Sequence, residues 1–175
     1  MAKLDDFIIC ILGKSGSGKT TITEKLQAKY GYEMVDSYTT RKPRYEGEIG
    51  HKFIDLVTYL QLPNKVAFTE FNGNHYCATQ TQVDNADLYV IDVFGLKQLQ
   101  QLYKGHKKII TVYVDVPMEE CLARMRRRGD SEDVCWERLR HDDEAFRDIT
   151  AHFVIDGVPE NAWESVAEII DKLKE

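Results

Sequence analysis

Apolar residues along the 175-residue chain form short continuous runs, separated by segments with helical spacing. The run FIICIL, residues 7–12, ends at Gly13 and is typical of a central parallel strand buried on both faces. The apolar positions of residues 20–30 recur on one face, which predicts a helix that ends at Gly31. A buried strand followed at once by a helix begins an alternating α/β pattern.

The same alternation continues along the chain. Further strands are predicted over residues 32–38, 87–95, 107–116 and 152–155, and further helices over residues 95–104, 118–128, 131–146 and 162–173. Residues 41–50 predict a loop, and the strand-like pieces within residues 51–79 predict a small β-rich insertion. This order predicts a three-layer α/β/α sandwich with a mostly parallel sheet.

Composition narrows the class of protein. With 43% hydrophobic and 30% charged residues, the chain is expected to be one soluble globular domain. Its four cysteines form no C-x-x-C pair, so we expect reduced thiols, no zinc site and a cytoplasmic location. No apolar stretch is long enough for a membrane span. The net charge of −6 argues against nucleic-acid binding, so any anion site must be local.

The segment GKSGSGKTT, residues 13–21, fits the phosphate-binding loop pattern and lies between the first strand and the first helix, as that pattern requires. Lys19 is expected to hold the β- and γ-phosphates of ATP, Thr20 to ligate Mg²⁺, and Thr21 to meet the α-phosphate. The segment therefore predicts a P-loop NTPase fold. The predicted ATP-binding residues are Gly13, Ser15, Gly16, Ser17, Gly18, Lys19, Thr20 and Thr21.

A second group of anion-binding side chains follows in SYTTRKPR, residues 37–44. Arginine presents a planar fork of donors that matches phosphate oxygens, and Arg41 and Arg44 lie here close to Ser37. The alternative for this segment alone is a solvated basic loop.

Taken together, the segments GKSGSGKTT, SYTTRKPR, GE, EFNGNHY, IDVFG, and RMRRRGD followed by ERL resemble the guanylate kinase family across nearly the whole chain. The resemblance implies transfer of the γ-phosphoryl group of ATP to a nucleoside monophosphate, GMP or a related (d)NMP, with Mg²⁺. It also implies that Ser37, Arg41, Arg44 and Tyr76 hold the acceptor phosphate.

The family pattern extends to three arginines and one aspartate. Arg124 and Arg128 stand four residues apart on one helix face and match the lid that closes over the transferring group. Arg138 matches an arginine that reaches phosphate from the following helix, its alternative being an exposed ion pair with a carboxylate of its own helix. Asp92 ends a strand and is expected to hold the waters of Mg²⁺, its alternative being a helix cap. Lys19 and the three arginines are the predicted catalytic residues.

The resemblance is weakest where the base is recognised. Family members use a glutamate, a small hydroxyl residue and an aspartate for the guanine edge, and Ala67, Ala78 and Val90 stand at these positions. Glu70 lies three residues beyond Ala67 and is the predicted substrate-binding carboxylate. Losing such contacts predicts a relaxed or redirected choice of base.

The family also implies a division of the single domain, residues 1–175. The core is expected over residues 1–36, 85–124 and 148–175, the acceptor-binding part over residues 37–84, and the lid over residues 124–138. Two alternatives stay open: a non-catalytic guanylate-kinase-like binding module, and a P-loop kinase for another small acceptor.

Overall fold

The computed structural model describes residues 3–175 and contains a central sheet of four parallel strands. The strands are β1 (Phe7–Leu12), β6 (Leu88–Val90), β7 (Lys108–Asp115) and β8 (Phe153–Asp156), in the order β6-β1-β7-β8. All six residues of β1 are buried. Alternate side chains of β1 enter two separate hydrophobic clusters, one on each face of the sheet, which confirms the three-layer arrangement.

Helices cover both faces. The helices are α1 (Lys19–Tyr30), α2 (Leu56–Gln61), α3 (Gln80–Asn85), α4 (Val93–Leu102), α5 (Met118–Arg127), α6 (Glu132–Ala145) and α7 (Ala162–Lys174). Helices α1, α5 and α7 pack into one cluster, whereas α3 and α4 pack into the other. Among residues 3–175 no helix is long and apolar enough to cross a membrane.

A second, smaller sheet projects from the core. Its strands are β2 (Ser37–Thr39), β3 (His51–Phe53), β4 (Lys65–Phe71) and β5 (Asn74–Thr79), in the order β3-β2-β5-β4. Strand β4 packs on α4, where the Gln98 side chain accepts a hydrogen bond of 2.6 Å from the Phe68 N–H. The predicted β-rich insertion is confirmed.

Two predicted strands were wrong in extent. Within residues 32–38 only Met34 pairs with the central sheet, through a single bridge to Leu88, and the chain then leaves the core to form β2. The strand predicted over residues 87–95 ends at Val90, because Asp92 caps α4 by accepting a 2.6 Å hydrogen bond from the Gly95 N–H.

Helix α3 was not predicted from the apolar pattern. Thr79 and Gln82 form a reciprocal capping box that satisfies two N–H groups at its start. Local capping therefore defines a helix of only six residues that periodicity does not reveal.

Candidate phosphoryl-transfer site

The phosphate loop connects β1 to α1 and depends on glycines at two positions. Gly16 and Gly18 have φ angles of 77° and 89°, a region that side chains disfavour. A Cβ on Gly16 would lie 2.7 Å from the Cys121 carbonyl oxygen of α5. Gly18 is the N-cap of α1, and no side chain caps this helix end. The first N–H groups of α1 are therefore available to an anion.

Lys19 folds back over this loop. Its ammonium group donates hydrogen bonds to the Gly13 oxygen at 2.6 Å, the Lys14 oxygen at 2.8 Å and the Ser17 hydroxyl at 3.3 Å. Burial lowers its pKa to about 8, and the negative charge of Asp142 opposes that shift. The group is still mostly protonated at neutral pH, as a phosphate ligand must be.

Two cavities meet this loop. One, of about 630 Å³, is lined by Gly13, Ser15, Lys19 and Asp92 among others. The other, of about 980 Å³, extends from Ser17, Gly18 and Thr21 to residues 157–163 and includes Arg124 and Arg128 in its wall. Thr20 is exposed at the first turn of α1. The predicted ATP-binding residues therefore form one continuous loop and helix start between the two cavities.

Arg124 supports the loop from α5. Its guanidinium donates to the Gly16 oxygen at 3.3 Å and to the Gly157 oxygen at 3.0 Å, and Glu120 accepts from its Nε at 3.0 Å. It therefore joins the phosphate loop to the segment after β8.

Arg128 and Arg138 meet at one carboxylate. Arg128 lies 2.7 Å and Arg138 3.5 Å from the same oxygen of Asp130. The hydrogen bond from Arg128 is the main cause of a lowered pKa of Asp130. Arg138 therefore does form an exposed ion pair, but its partner, Asp130, lies in the turn before α6 and not in the helix itself.

In the segment between β2 and β3, Arg41 forms an ion pair with Glu48. The separation is 2.8 Å, both side chains are largely buried, and Glu48 also accepts a 2.7 Å hydrogen bond from the Arg44 N–H. The contact with Arg41 lowers the pKa of Glu48 to about 2. The Nε of Arg41 is buried and has no hydrogen-bond partner. A buried donor without a partner is costly, and a phosphate oxygen is the type of acceptor that it matches.

Ser37 and Tyr76 line a smaller cavity of about 170 Å³. Tyr76 on β5 pairs with Thr39 of β2, two residues before Arg41, and it adds to the main effect of Glu48 in raising the pKa of Arg41. The Ser37 hydroxyl lies 3.1 Å from Nδ1 of His51. Sequence reasoning missed the contacts of His51 and Glu48; Glu48 had entered only through the GE segment of the family resemblance.

The wall of this 170 Å³ cavity, the predicted acceptor cavity, is largely apolar. Ala67 and Val90 line it, whereas Glu70 is exposed on β4 and is not part of the lining. Ala78 is fully buried. The cavity also shares several wall residues with the 630 Å³ cavity that contains Lys19; these are Thr69, Val90, Ile91 and Asp92. The two cavities are therefore neighbours, so that a ligand bound at the phosphate loop and a ligand bound at Tyr76 would lie next to each other.

The residues near the loop fit Mg²⁺ in their chemistry. Thr20 offers an exposed hydroxyl, and Asp92 keeps one carboxylate oxygen beyond the one that caps α4. No group of three or more His, Cys, Asp or Glu suited to a metal occurs within residues 3–175. Magnesium is commonly held by one or two protein oxygens, substrate phosphates and waters, so this donor set matches it.

A glycine loop between a buried parallel strand and a helix, covered by a lysine, defines a P-loop nucleotide-binding protein. In agreement, residues 9–153 match the family model described as an AAA domain. The chain is 34% identical to the guanylate kinase of Nitratidesulfovibrio vulgaris over 148 aligned positions, which cover 75% of this chain and 69% of that protein. It is 31% identical to the guanylate kinase of Oleidesulfovibrio alaskensis, with 95% of this chain and 84% of that protein covered.

The chain belongs to the guanylate kinase family. The crystal structure of guanylate kinase from Anaplasma phagocytophilum has the same fold, with a TM-score of 0.66 and 22% identity, and the match covers 98% of this chain and 88% of that one.

Proposed function

We propose that this protein is an ATP-dependent nucleoside monophosphate kinase that transfers the γ-phosphoryl group of ATP to the phosphate of its acceptor. The observation that carries the proposal is a pair of cationic groups beside two cavities with a common wall. Lys19 lines one cavity, and Tyr76, which lines the other, acts on the nearby Arg41. Phosphoryl transfer depends mainly on placing donor and acceptor phosphates together and neutralising their charge.

ATP is proposed to bind on residues 13–21, with Lys19 at the β- and γ-phosphates. Thr20 and Asp92 are the residues that would hold Mg²⁺ and its waters. When bound, Mg²⁺ would neutralise negative charge on the phosphates of ATP.

The three arginines have different proposed roles. Arg124, already on the Gly16 carbonyl, keeps the loop in place beside the transferring group. Arg128 and Arg138 lie 2.7 and 3.5 Å from Asp130, and each is proposed to exchange that carboxylate for the phosphoryl oxygens as the lid, residues 124–138, closes.

The acceptor phosphate is proposed to bind Ser37, Arg41, Arg44 and Tyr76. The unpartnered Nε of Arg41 supports this assignment. The role of Glu70 stays a prediction, because its side chain does not line the acceptor cavity. The buried, unpaired cysteines support a proposed cytoplasmic location, where thiols stay reduced.

Replacing Lys19 with alanine tests the assignment. Because the loop loses the ammonium group that is proposed to hold the β- and γ-phosphates, turnover should fall about a hundredfold or more. The measurement is ADP release in a coupled assay with each common (d)NMP, with thermal unfolding as a check on the fold.

Lys19→Arg is the matched control, since it keeps the charge and should retain part of the activity. Undiminished turnover in Lys19→Ala would reject the proposal. A wild-type protein that binds no ATP would instead indicate a non-catalytic module.

A further inference from the structure

Asp142 of α6 is a buried carboxylate in contact with the phosphate loop. The residue is 8% exposed, and its Oδ2 accepts a hydrogen bond of 2.7 Å from the Ser15 N–H. The other two charged residues that are buried among residues 3–175 have structural hydrogen bonds: Asp87 accepts the Leu4 and Glu33 N–H groups, and Lys107 donates to the Ala86 oxygen. Asp142 differs because its partner belongs to the nucleotide site.

The contact places a negative charge where a phosphate is expected. The N–H groups of such a loop are arranged to receive anions, and Asp142 already occupies one of them. Asp142 lines the 630 Å³ cavity together with Lys19, and its charge favours the protonated form of Lys19. Its second oxygen, Oδ1, lies 3.6 Å from Nδ1 of His141. Asp142 is therefore a carboxylate counter-charge beside the lysine that would hold the terminal phosphates.

From this geometry we infer that Asp142 is an internal anion that competes with the terminal phosphoryl group of the nucleotide for the phosphate loop. The inference rests on the proposed function, because it takes ATP as the ligand of the loop. Two like charges in a partly buried site repel, so the triphosphate must displace or tolerate this carboxylate. Asp142 thereby lowers the affinity of the free protein for ATP.

The contact also connects the loop to the lid. Arg138 lies four residues before Asp142 in α6, so both project from the same side of the helix. While Asp142 holds Ser15, α6 is tied to the loop and Arg138 stays beside Asp130. Displacement of Asp142 by a phosphoryl group releases this tie, which links nucleotide binding to movement of the helix that carries Arg138.

The substitution Asp142→Asn tests the inference, since the amide oxygen still accepts from Ser15 while the charge is lost. Affinities for a non-hydrolysable ATP analogue and for ADP are measured by titration calorimetry at low salt. The analogue should bind at least about fivefold more tightly, the factor for one pair of unit charges 4 Å apart in water. ADP, which lacks the terminal phosphoryl group, should gain less.

Asp143→Asn is the matched control. Its side chain is 61% exposed and lies 3.8 Å from Arg147, so its removal should leave both affinities unchanged. Asp142→Ala is the second variant, and it replaces Asp142→Asn if the latter unfolds too readily to be titrated. It also lacks the charge, so the same tighter binding of the ATP analogue is expected.

Unchanged or weaker binding of the ATP analogue by both Asp142 variants would overturn the inference; weaker binding would show that the carboxylate assists the nucleotide or its metal. These results leave the kinase proposal standing as long as the wild-type protein binds the analogue. If neither the wild type nor the variants bind it, the proposed function and the inference fail together.

Discussion

At the scale of single residues, Lys19 combines a hydrogen-bonded resting position with a lowered pKa. Two main-chain carbonyl groups and one hydroxyl accept from its ammonium group. These neutral acceptors offset only part of the cost of removing the charge from water, and burial is the main cause of the lowered pKa. An arriving phosphate supplies the negative charge that the carbonyl groups lack.

This pKa predicts a pH limit on catalysis. Lys19 loses its proton near pH 8 in the folded protein but near 10.5 when unfolded. Activity at subsaturating ATP, measured as kcat/KM, should therefore fall as the pH rises above about 8. Between about pH 8 and pH 10.5, Lys19 is protonated in a larger fraction of unfolded molecules than of folded ones. Its contribution to the free energy of unfolding therefore rises with pH in this range. Activity should be lost without loss of the fold.

The control for this profile is Lys19→Arg, which stays charged over the same range. Its kcat/KM, although lower, should not decline near pH 8. A wild-type profile that remains flat up to pH 10 would show that Lys19 keeps its proton in the free enzyme.

At the scale of secondary-structure elements, the phosphate loop is held by its contact with α5. Gly16 lies against the Cys121 carbonyl group, so the loop and the helix that carries Arg124 are packed backbone to backbone. The loop shape therefore depends on a neighbouring helix as well as on its own glycines.

Substituting Gly16 with alanine should destabilise this junction. Gly47→Ala is a close match, since Gly47 has a φ of 80° against 77° for Gly16 but no atom within 4 Å of its Cβ position. The backbone conformation alone costs about 1–2 kcal/mol at either site. Gly16→Ala should lower the free energy of unfolding further, as measured by denaturant titration, because its Cβ meets a carbonyl group. Equal losses in the two variants would contradict this packing argument.

The elements that could be predicted from the sequence are those that depend on local signals. The run of residues 7–12, the helix ending at Gly31 and the loop pattern between them are local signals, and the structure confirms all three. Strand β2 was misplaced because pairing with β5 and β3, distant in sequence, decides which sheet it joins. The contact of Asp142 with the phosphate loop could not be predicted, because nothing in the sequence places its carboxylate 2.7 Å from the Ser15 N–H group.

At the scale of the whole molecule, two neighbouring cavities share part of their wall, and the smaller one is lined by residues of both the smaller sheet and the central sheet. The acceptor cavity has alanine at position 67 and valine at position 90. These side chains offer no hydrogen bond to a base edge, whereas a buried polar contact discriminates between bases by factors of about 10⁴.

We therefore predict that GMP has no large advantage over other acceptors. In a coupled assay with saturating ATP, the kcat/KM for GMP should exceed those for other (d)NMPs by much less than about 10⁴. Lys19→Ala measured with the same acceptors gives the background rate. If the kcat/KM for GMP exceeded the others by about 10⁴, other groups, such as Glu70, would have to contact the base.

The four cysteines are buried and unpaired, so the surface formed by residues 3–175 presents no native thiol to a thiol-reactive reagent. Burial raises the pKa of Cys10 to about 12 and that of Cys77 to about 11, so both are protonated and poorly nucleophilic under ordinary conditions. A single new cysteine on exposed parts of α6 would then be the preferred target of a thiol-reactive dye. Fluorescence from that one label would follow the helix during turnover without first removing the native thiols.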